Sequence, residues 1–525
     1  MTSSEAVDVL IVGAGPVGVT AANLLGQAGL RVLIVDRDAE ILTIPRAIGL
    51  DDEGGRVLQS TGLLETMADD LLAVERVQLM SPSRGELLNL RVCTERNGHP
   101  ILRTFHQPTL ERHLRRGLDR FANVELAVRT ECVSFNDIGD GVRIELMTPN
   151  GSRQIEARFL LGCDGAHSFV RRKLGIELDG MTYGDAWLVV DAGVDPGPER
   201  NVQFLCDPAR PGVTLPAPDG GRRWEFMLLN GETAEEMTQR DTVRQLLSPW
   251  GDIDDMNLGR VAVYTFHART ARRMQRGNVF LLGDAAHLTP PFVGQGLMAG
   301  LRDAANIAWK IASVVNDGSG RSLVDTYEEE RLPNVRRMVS LARHMGALVM
   351  PTNPLTASAR DVALRSLRRI PWLESLARDV RIKPSAVIKR GFLGRCKARR
   401  SLRAGETFPQ IQLRSRRGTA IPSDDLRRGR WAIVGVDAMP GEHLASRQHQ
   451  QFARHGTFVC VRTQRAPRRL AVPTANSLAV AEPLPANLRP GHFYVVRPDN
   501  HVYAACSPEP LEGVVDDLLT TLRCP

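Results

Sequence analysis

The chain has few cysteines for its length, and their spacing shows no regular pattern. Its 525 residues contain eight cysteines, scattered without a CxxC pair or a metal-ligand spacing. Scattered cysteines are typical of free thiols in a reducing compartment, whereas disulfide frameworks and zinc sites need regular spacings. We therefore expect no bound metal and no thiol redox centre.

Long apolar runs are also missing. No stretch approaches the eighteen or more uninterrupted apolar residues that would indicate a membrane-spanning helix. The first ten residues, MTSSEAVDVL, lack the basic and apolar segments of a secretory signal. Together these absences predict a cytoplasmic protein without a membrane span.

Aromatic residues make up only 5% of the chain, and the net charge is a moderate +7. The positive charge is densest in an arginine-rich stretch at about residues 360–430, which includes the segments KARR and RSRRG. Aromatic side chains are not interleaved with these arginines, which argues against a surface that binds nucleic acid. We interpret the stretch as solvated helix faces and linker, and we expect no nucleic-acid partner.

The first fifty residues carry the most specific pattern. An apolar run enters the glycine-rich segment GAGPVG, and a second apolar run ends at Asp36. In a dinucleotide-binding βαβ unit, Gly13 would permit the tight turn, Gly15 the approach of the pyrophosphate, and Gly18 the close packing of helix on strand. The helix that follows directs free N–H groups at the phosphates, and Asp36 is placed to bind a ribose hydroxyl.

A second pattern lies near residue 280, where a buried strand is followed by a proline-rich loop and a long amphipathic helix. Glycines in the loop let the backbone approach a flat ligand, and the helix N-terminus can stabilise negative charge on a reduced flavin. The acid after the strand can accept hydrogen bonds from a ribityl chain. The residues concerned are Gly283, Asp284, Gly294, Gly296, Leu297 and Met298.

A third segment between these two, FLLGCDGAHSFVRRKLGI, completes a resemblance to the FAD-dependent aromatic hydroxylases, the para-hydroxybenzoate hydroxylase-like flavoprotein monooxygenases. The segment is similar to the family's DG motif, and the resemblance spans about residues 5–340. It is strongest to the 3-(3-hydroxyphenyl)propionate hydroxylase and polyketide hydroxylase branch. Besides the residues above, it implies non-covalent FAD binding by Pro16, Arg46, Gln107, Asp164, Gly165 and Pro291. Arg37, directly after Asp36, either covers the adenosine of the cofactor or is simply exposed.

The resemblance also implies the fold class, which is α/β. A Rossmann-like FAD-binding domain carries an inserted, mainly antiparallel β substrate domain and a C-terminal thioredoxin-like α/β domain. We place the first part of the FAD domain at residues 1–180, with about 75–100 joining the substrate sheet. The substrate domain covers 181–268, the FAD domain and a helical linker 269–400, and the thioredoxin-like domain, without a CxxC, 405–525.

The chemistry that the resemblance implies is hydroxylation of a phenolic ring with O2 and either NADH or NADPH. In the family, the nicotinamide reduces FAD, and the reduced flavin captures oxygen as a 4a-hydroperoxide that attacks an electron-rich ring. Because the cofactor performs this step, few side chains are needed. The candidates are Pro290 and Pro291, whose loop passes between flavin and substrate, and His287, which either takes part in catalysis or fixes that loop.

Several alternatives stay open at this stage. A FAD-dependent oxidase or halogenase would use the same motifs, although the six tryptophans here are dispersed and form no halogenase-type cluster. A non-catalytic flavin-binding protein would also retain them. We favour a simple substituted phenol or a related hydroxylated heteroaromatic as substrate, with Arg46, Arg103 and Arg223 available to an acidic substituent. The choice of nicotinamide and the formation of a homodimer are left open.

Overall fold

The computed structural model describes residues 5–92, 94–197, 199–367, 386–395, 401–414, 418–427, 429–463, 477–480 and 483–523. Residues 368–385 and 396–400 of the predicted helices and linker, which include the arginine-rich KARR segment, lie outside the described residues, as do three residues of RSRRG. The α-helices of the described ranges, numbered along the chain, are α1 (Pro16–Gln27), α2 (Asp52–Ser60), α3 (Gln107–Arg116), α4 (Phe169–Lys173), α5 (Ala234–Met237), α6 (Arg240–Leu247), α7 (Gly296–Asn316), α8 (Ser322–Val349), α9 (Pro354–Leu367), α10 (Ser423–Arg427), α11 (Ser446–His455) and α12 (Leu511–Arg523).

The first sheet is the scaffold of the nucleotide-type motifs. Its parallel part consists of continuous apolar runs that are buried on both faces, as expected when helices cover a parallel sheet. The strand order is Val124–Val128, Val32–Asp36, Glu5–Val12, Gly151–Gly162, Val142–Thr148 and Glu131–Asp137, with Val279–Leu281 parallel to Gly151–Gly162 and Gln275–Arg276 at its edge. All three glycine-containing motifs therefore follow strands that end at one edge of this sheet.

The second sheet has eight strands and is antiparallel except for one pair. It runs in the order His287–Leu288, Leu258–Ala271, Leu178–Ala192, Arg222–Met227, Gly212–Pro216, Asn201–Leu205, Arg76–Ser81 and Gly85–Arg91. Side chains alternate between the two faces of each strand. On one face Trp224 and Phe226 pack with the short helices α5 and α6, while Arg223 and Glu225 point to the opposite face.

The third sheet belongs to the C-terminal part of the chain. Its strands are Ala420–Pro422, Gln412–Arg414, Ser477–Val480, Gly456–Arg462, Trp431–Val436, Phe493–Val496 and Val502–Cys506. The central three pair in parallel, and the rest pair antiparallel. Trp431 of this sheet packs edge-on against Trp309 of α7, with ring centroids 5.5 Å apart. The described residues between 401 and 523, which we call the C-terminal unit, therefore share a core with the first part of the chain.

Short elements complete the described structure. Three strands, Gly49–Asp51, Leu102–Phe105 and Leu71–Ala73, form a small sheet, and Glu95–Arg96 pairs with His99–Pro100 in a hairpin. The 3-10 helices are Glu65–Asp70, Gly117–Arg120, Pro218–Gly220, Gly283–Ala285, Pro291–Val293 and Pro440–His443. Among the described residues, no helix combines the length and apolar character needed to cross a membrane.

Candidate functional site

In the first motif, the backbone at Gly13 and Gly18 lies so close to other backbone that no side chain fits there. Gly13 has φ +104°, and a Cβ there would lie 2.5 Å from the carbonyl oxygen of Cys163. A Cβ on Gly18 would lie 2.0 Å from the carbonyl oxygen of Gly13. Gly15 is the N-cap of α1 and provides no side-chain cap, so the N–H groups of the first helical turn face the cavity beside Pro16.

Asp36 ends its strand beside this turn. One carboxylate oxygen accepts a hydrogen bond from the N–H of Ala14 at 2.7 Å, and the other accepts one from the N–H of Asp38 at 2.9 Å. Asp36 lines the cavity, whereas the neighbouring Arg37 does not. The exposed side chain of Arg37 lies beside Asp38, which lines the cavity, and cofactor binding by Arg37 stays a prediction.

Helix α3 contributes two cavity residues that the sequence analysis missed. Arg115 donates hydrogen bonds to the carbonyl oxygen of Ala14 (3.0 Å) and to Glu111 (2.9 Å). Burial raises the pKa of the Glu111 carboxyl. Gln107, Glu111 and Arg115 are spaced by four residues and share one face of α3. That spacing, counted from the predicted Gln107, is a signal that could have identified both.

Gln107 acts on the loop that carries Arg46. Its side-chain oxygen accepts hydrogen bonds from the N–H groups of Arg46 (2.9 Å) and Ala47 (2.8 Å). From the second sheet, Arg223 donates to the carbonyl oxygens of Pro45 and Arg46, and Arg260 also donates to Pro45. The loop backbone is therefore fixed from two sides, and the guanidinium of Arg46 stays exposed at the cavity wall.

In the DG motif, which is the second motif along the chain, Gly165 lines the cavity and Asp164 lies just behind it. One oxygen of Asp164 accepts a hydrogen bond from the N–H of Val170 at 3.0 Å. The other is buried and has no partner among the described residues. Arg171 of α4 donates to the carbonyl oxygen of Ala285 at 3.0 Å, which ties this motif to the third one.

The third motif along the chain, at Gly283 and Asp284, presents a carboxylate directly to the cavity. Gly283 has φ +59°, and a Cβ there would lie 3.0 Å from Val17 of α1. Asp284 lines the cavity, and burial raises the pKa of its carboxyl. Within the part of the chain that the structure describes, no donor hydrogen-bonds this carboxylate, so it is available to hydroxyl groups of a ligand.

His287 lies behind the cavity lining. Its ring is completely buried, does not line the cavity, and lies with Nε2 2.7 Å from Asp303. The same carboxylate receives the N–H of Gly283 (3.1 Å) and, on its other oxygen, Arg331 (2.8 Å). Although burial opposes the shift, Arg331 and His287 lower the pKa of Asp303. These contacts favour the second of the two predicted roles, in which the histidine fixes the turn, here through Asp303.

Residues 290–298, which we call the flavin loop, lead into α7. Pro291 lines the cavity but Pro290 does not. Gly294 is left-handed (φ +61°). Phe292 anchors the loop in the second sheet, with its ring centroid 5.4 Å from that of Trp187.

The start of α7 remains open to a ligand. Gln295 is its N-cap without a side-chain cap, and a Cβ on Gly296 would meet no atom within 4 Å. Leu297 lines the cavity. The side chain of Met298, a residue that was predicted to bind the cofactor, is buried against Gly54 of α2 and does not line the cavity.

These elements enclose a continuous cavity of about 530 Å³, within the range of ligand sites. The predicted residues that line it are Gly15, Pro16, Asp36, Arg46, Gln107, Gly165, Asp284, Pro291, Gly294, Gly296 and Leu297. Those that do not are Gly13, Gly18, Arg37, Asp164, Gly283, His287, Pro290 and Met298. Of the second group, the three glycines shape the turns behind the lining.

The second half of the cavity is an apolar face of the second sheet. Its lining includes Val77, Leu90, Val202, Phe204, Val213 and Leu215. Two charged residues, Arg223 and Glu225, stand on this face. Arg223 is ion-paired with Asp191 at 2.6 Å and lies 3.9 Å from Glu225. Burial raises the pKa of the Glu225 carboxyl. Of the arginines proposed for an acidic substituent, Arg103 does not line the cavity.

The first half of the cavity fits FAD. The turn at Gly13 and Gly18 admits no side chain, the N–H groups at the start of α1 face inward, and Asp284 lacks a protein donor. A pyrophosphate and polyhydroxyl chain would satisfy these groups. The open start of α7 lies across the same cavity from the apolar sheet. The arrangement therefore provides for a flavin beside a second, apolar compartment.

Comparison with known proteins agrees with this geometry. A family model described as "FAD binding domain" matches residues 6–342, and one described as "HcaD C-terminal domain" matches residues 405–521. A 3-(3-hydroxy-phenyl)propionate/3-hydroxycinnamic acid hydroxylase of Klebsiella pneumoniae is 33% identical over 521 residues, covering 96% of this chain and 92% of the relative. A protein of the same name from Mycolicibacterium smegmatis is 34% identical, covering 88% and 83%.

Solved structures share the fold. The flavin-dependent monooxygenase PieE, in complex with FAD and substrate, matches with a TM-score of 0.79 at 20% identity over 99% of both chains. Aklavinone-11 hydroxylase with FAD and aklavinone gives 0.74 at 23% identity over 100% of this chain and 99% of the other. With the three motifs at one cavity and a matched FAD domain, the chain belongs to the family of FAD-dependent aromatic hydroxylases.

Proposed function

We propose that this enzyme hydroxylates a single-ring phenol that carries an acidic side chain, with NAD(P)H and O2. The observation that carries the proposal is the apolar face of the second sheet, which holds one carboxyl group, Glu225, beside the ion-paired Arg223. An aromatic ring would pack on this face, and a ring hydroxyl would find an acceptor in Glu225. The two relatives described above are named for substrates of this kind, 3-(3-hydroxyphenyl)propionate and 3-hydroxycinnamate.

The acidic side chain of such a substrate needs a cation. Three arginines of the lining are neutralised within the protein, since Arg96 pairs with Asp52, Arg115 with Glu111 and Arg223 with Asp191. In the described residues, the guanidinium of Arg46 makes no ion pair. We assign it to an anionic group of a bound molecule, either the substrate carboxylate or the cofactor.

The protein's part in the reaction is to bind, orient and exclude water. Bound FAD supplies the electron transfer and the activation of oxygen. Asp284 and the N–H groups of α1 would hold its polar chain, and the start of α7 would stabilise negative charge on its ring. The apolar sheet would keep water from the reacting atoms, and Glu225 would hold the phenol proton at its carboxylate.

The test compares three substrates with the FAD-loaded enzyme. We expect 3-(3-hydroxyphenyl)propionate to stimulate NAD(P)H oxidation and to gain one oxygen atom by product mass, and 3-ethylphenol to need a higher concentration. A neutral polycyclic phenol should give little stimulation. Equal KM values for the acid and for 3-ethylphenol would contradict the acidic side chain. Preference for the polycyclic phenol would overturn the single-ring class.

A further inference from the structure

Helix α2 (Asp52–Ser60) touches both the flavin loop and the C-terminal unit, although it is only nine residues long. Its N-terminal end lies beside the cavity, and side chains of its second half contact Phe408, Asp424 and Asp425. Both contacts include buried hydrogen bonds to charged groups. Such bonds have a defined geometry, and the protein is strongly destabilised when one partner is removed. A shift of α2 at one contact therefore also moves the residues at the other contact.

The contact with the flavin loop is made by the N-cap and first turn of α2. Asp51 accepts a hydrogen bond from the side chain of Gln295 at 2.9 Å, and both residues line the cavity. Arg302 of α7 donates to the side chain of Gln295 at 3.0 Å and pairs with Glu53 of α2. The N-cap of α7 is thus oriented by two side chains that α2 carries or pairs with.

The contact with the C-terminal unit is made one turn later, by Arg56. Its guanidinium pairs with both oxygens of Asp424 and donates to the carbonyl oxygen of Phe408 at 2.7 Å. Arg427 pairs with the same carboxylate from the C-terminal side. Asp424 therefore lies between two buried arginines, one from each part of the chain, and these cations hold the pKa of its carboxyl well below the usual range although burial opposes the shift.

A second connection runs parallel to the first. Asp52 of α2 accepts hydrogen bonds from Arg96, which lines the cavity, and from Asn97. The side chain of Gln410, in the C-terminal unit, donates to the carbonyl oxygen of Asn97 at 3.0 Å. The C-terminal unit thus contacts α2 directly and also contacts the hairpin that α2 holds at the cavity wall.

We propose that Asp424 is a positioning residue for the hydroxylation reaction, acting through Arg56 and α2 on the flavin loop. The C-terminal unit, none of whose described residues lines the cavity, thereby sets how closely the loop covers the bound flavin. A displacement of about 1 Å in such a loop costs up to roughly a hundredfold in rate. The loop also keeps water away from the reacting oxygen, so its displacement diverts reducing power to hydrogen peroxide.

The experiment uses the full-length, FAD-loaded enzyme with the substitution Asp424→Asn. We expect the fraction of NAD(P)H consumption that yields hydrogen peroxide to rise severalfold and kcat for hydroxylation to fall about tenfold, with KM for the phenol little changed. We also expect the fluorescence per bound flavin to change without any substrate present. This last measurement separates the inference from the choice of substrate, because it needs no turnover.

The matched control is Asp499→Asn. Asp499 is a carboxylate of the same interface and is also buried, but it pairs with Arg497 and contacts Asn306, ten residues beyond the start of α7. We expect both variants to lower the Tm, and only Asp424→Asn to change coupling and flavin fluorescence. Equal changes in both variants, or unchanged coupling in Asp424→Asn, would overturn the proposal.

A milder variant keeps the test decisive if Asp424→Asn does not fold. Arg56→Lys retains a positive charge opposite Asp424 but cannot keep both the two-point contact and the bond to Phe408. We expect a smaller rise in peroxide with full FAD content. Full coupling in a stable Arg56→Lys enzyme would show that the ion pair has no influence on the flavin loop.

Discussion

The two halves of the cavity are built in different ways. In the half that fits FAD, the three glycine-containing motifs are short segments that each follow a strand of the first sheet, and their backbone forms the turns and helix starts that face the cavity. In the half that faces the substrate, strands from residues 76–91 and 201–227 lie side by side, and side chains provide the lining. One half is determined by local sequence and the other by long-range strand pairing.

This difference predicts how each half responds to change. A motif made from backbone tolerates few substitutions at its glycines, because a Cβ there collides with other backbone. A sheet face made from side chains accepts substitutions without loss of fold, because each side chain is anchored by its own strand. We therefore expect changes in the first half to abolish FAD binding and changes in the second half to alter substrate use.

The largest effect is expected from Gly18→Ala. The added Cβ would lie 2.0 Å from the carbonyl oxygen of Gly13, and no flexible side chain can move aside. The turn must open, so we expect the purified protein to lose essentially all FAD, as measured by absorbance near 450 nm against total protein. The control is Gly513→Ala in α12, another helical glycine, whose Cβ would meet no atom within 4 Å. A yellow Gly18→Ala enzyme would contradict the packing argument.

The next effect is expected from Asp284→Ala, which removes the carboxylate that has no protein donor. A bound flavin hydroxyl would lose its acceptor, which costs about 1–3 kcal/mol, or roughly ten- to a hundredfold in FAD affinity. Titration of the apoprotein with FAD measures this directly. Asp36→Ala serves as a comparison, since that carboxylate already holds two backbone N–H groups. Unchanged FAD affinity in Asp284→Ala would show that this residue only shapes the turn.

The sequence predicted the first half of the cavity well for the same physical reason. The strand–turn–helix pattern around Gly13 and the loop around Gly294 are local, so spacing alone located them. Spacing could not show where the side chains of Met298 and His287 point, because a residue beside a motif can face the cavity or the core, and only tertiary packing decides which.

The substrate half could not be predicted in the same detail. Its strands were recognised, but the pairing of Asn201–Leu205 with Arg76–Ser81 joins residues more than a hundred positions apart. Side chains alternate between the two faces of a strand. Whether the face that carries Glu225 is turned toward the cavity depends on where the sheet lies in the fold. The contacts of Asp424 with Arg56 depend likewise on the docking of the C-terminal unit.

A smaller effect is expected from Glu225→Gln, in the substrate half. The amide keeps the volume but is a weaker acceptor than a carboxylate, and it cannot take the phenol proton. We expect FAD content to stay normal and KM for the phenol to rise about tenfold, since a hydrogen bond to a charged group contributes about 1.5–3 kcal/mol. Glu225→Asp should restore part of the affinity. Loss of FAD in Glu225→Gln would contradict the separation of the two halves.

The smallest effect on activity is expected from His287→Asn. The histidine belongs to the third motif by sequence, but its ring lies 2.7 Å from Asp303 and outside the cavity lining. Loss of this buried contact should reduce the free energy of unfolding by about 1–3 kcal/mol, while kcat stays within a fewfold of the parent enzyme. The control is Tyr327→Phe, which removes another buried hydrogen bond nearby, the one to Leu281. Similar Tm losses with near-normal turnover in both variants would fit a structural histidine. An inactive His287→Asn enzyme with full FAD content and an unchanged Tm would instead place this histidine in the reaction.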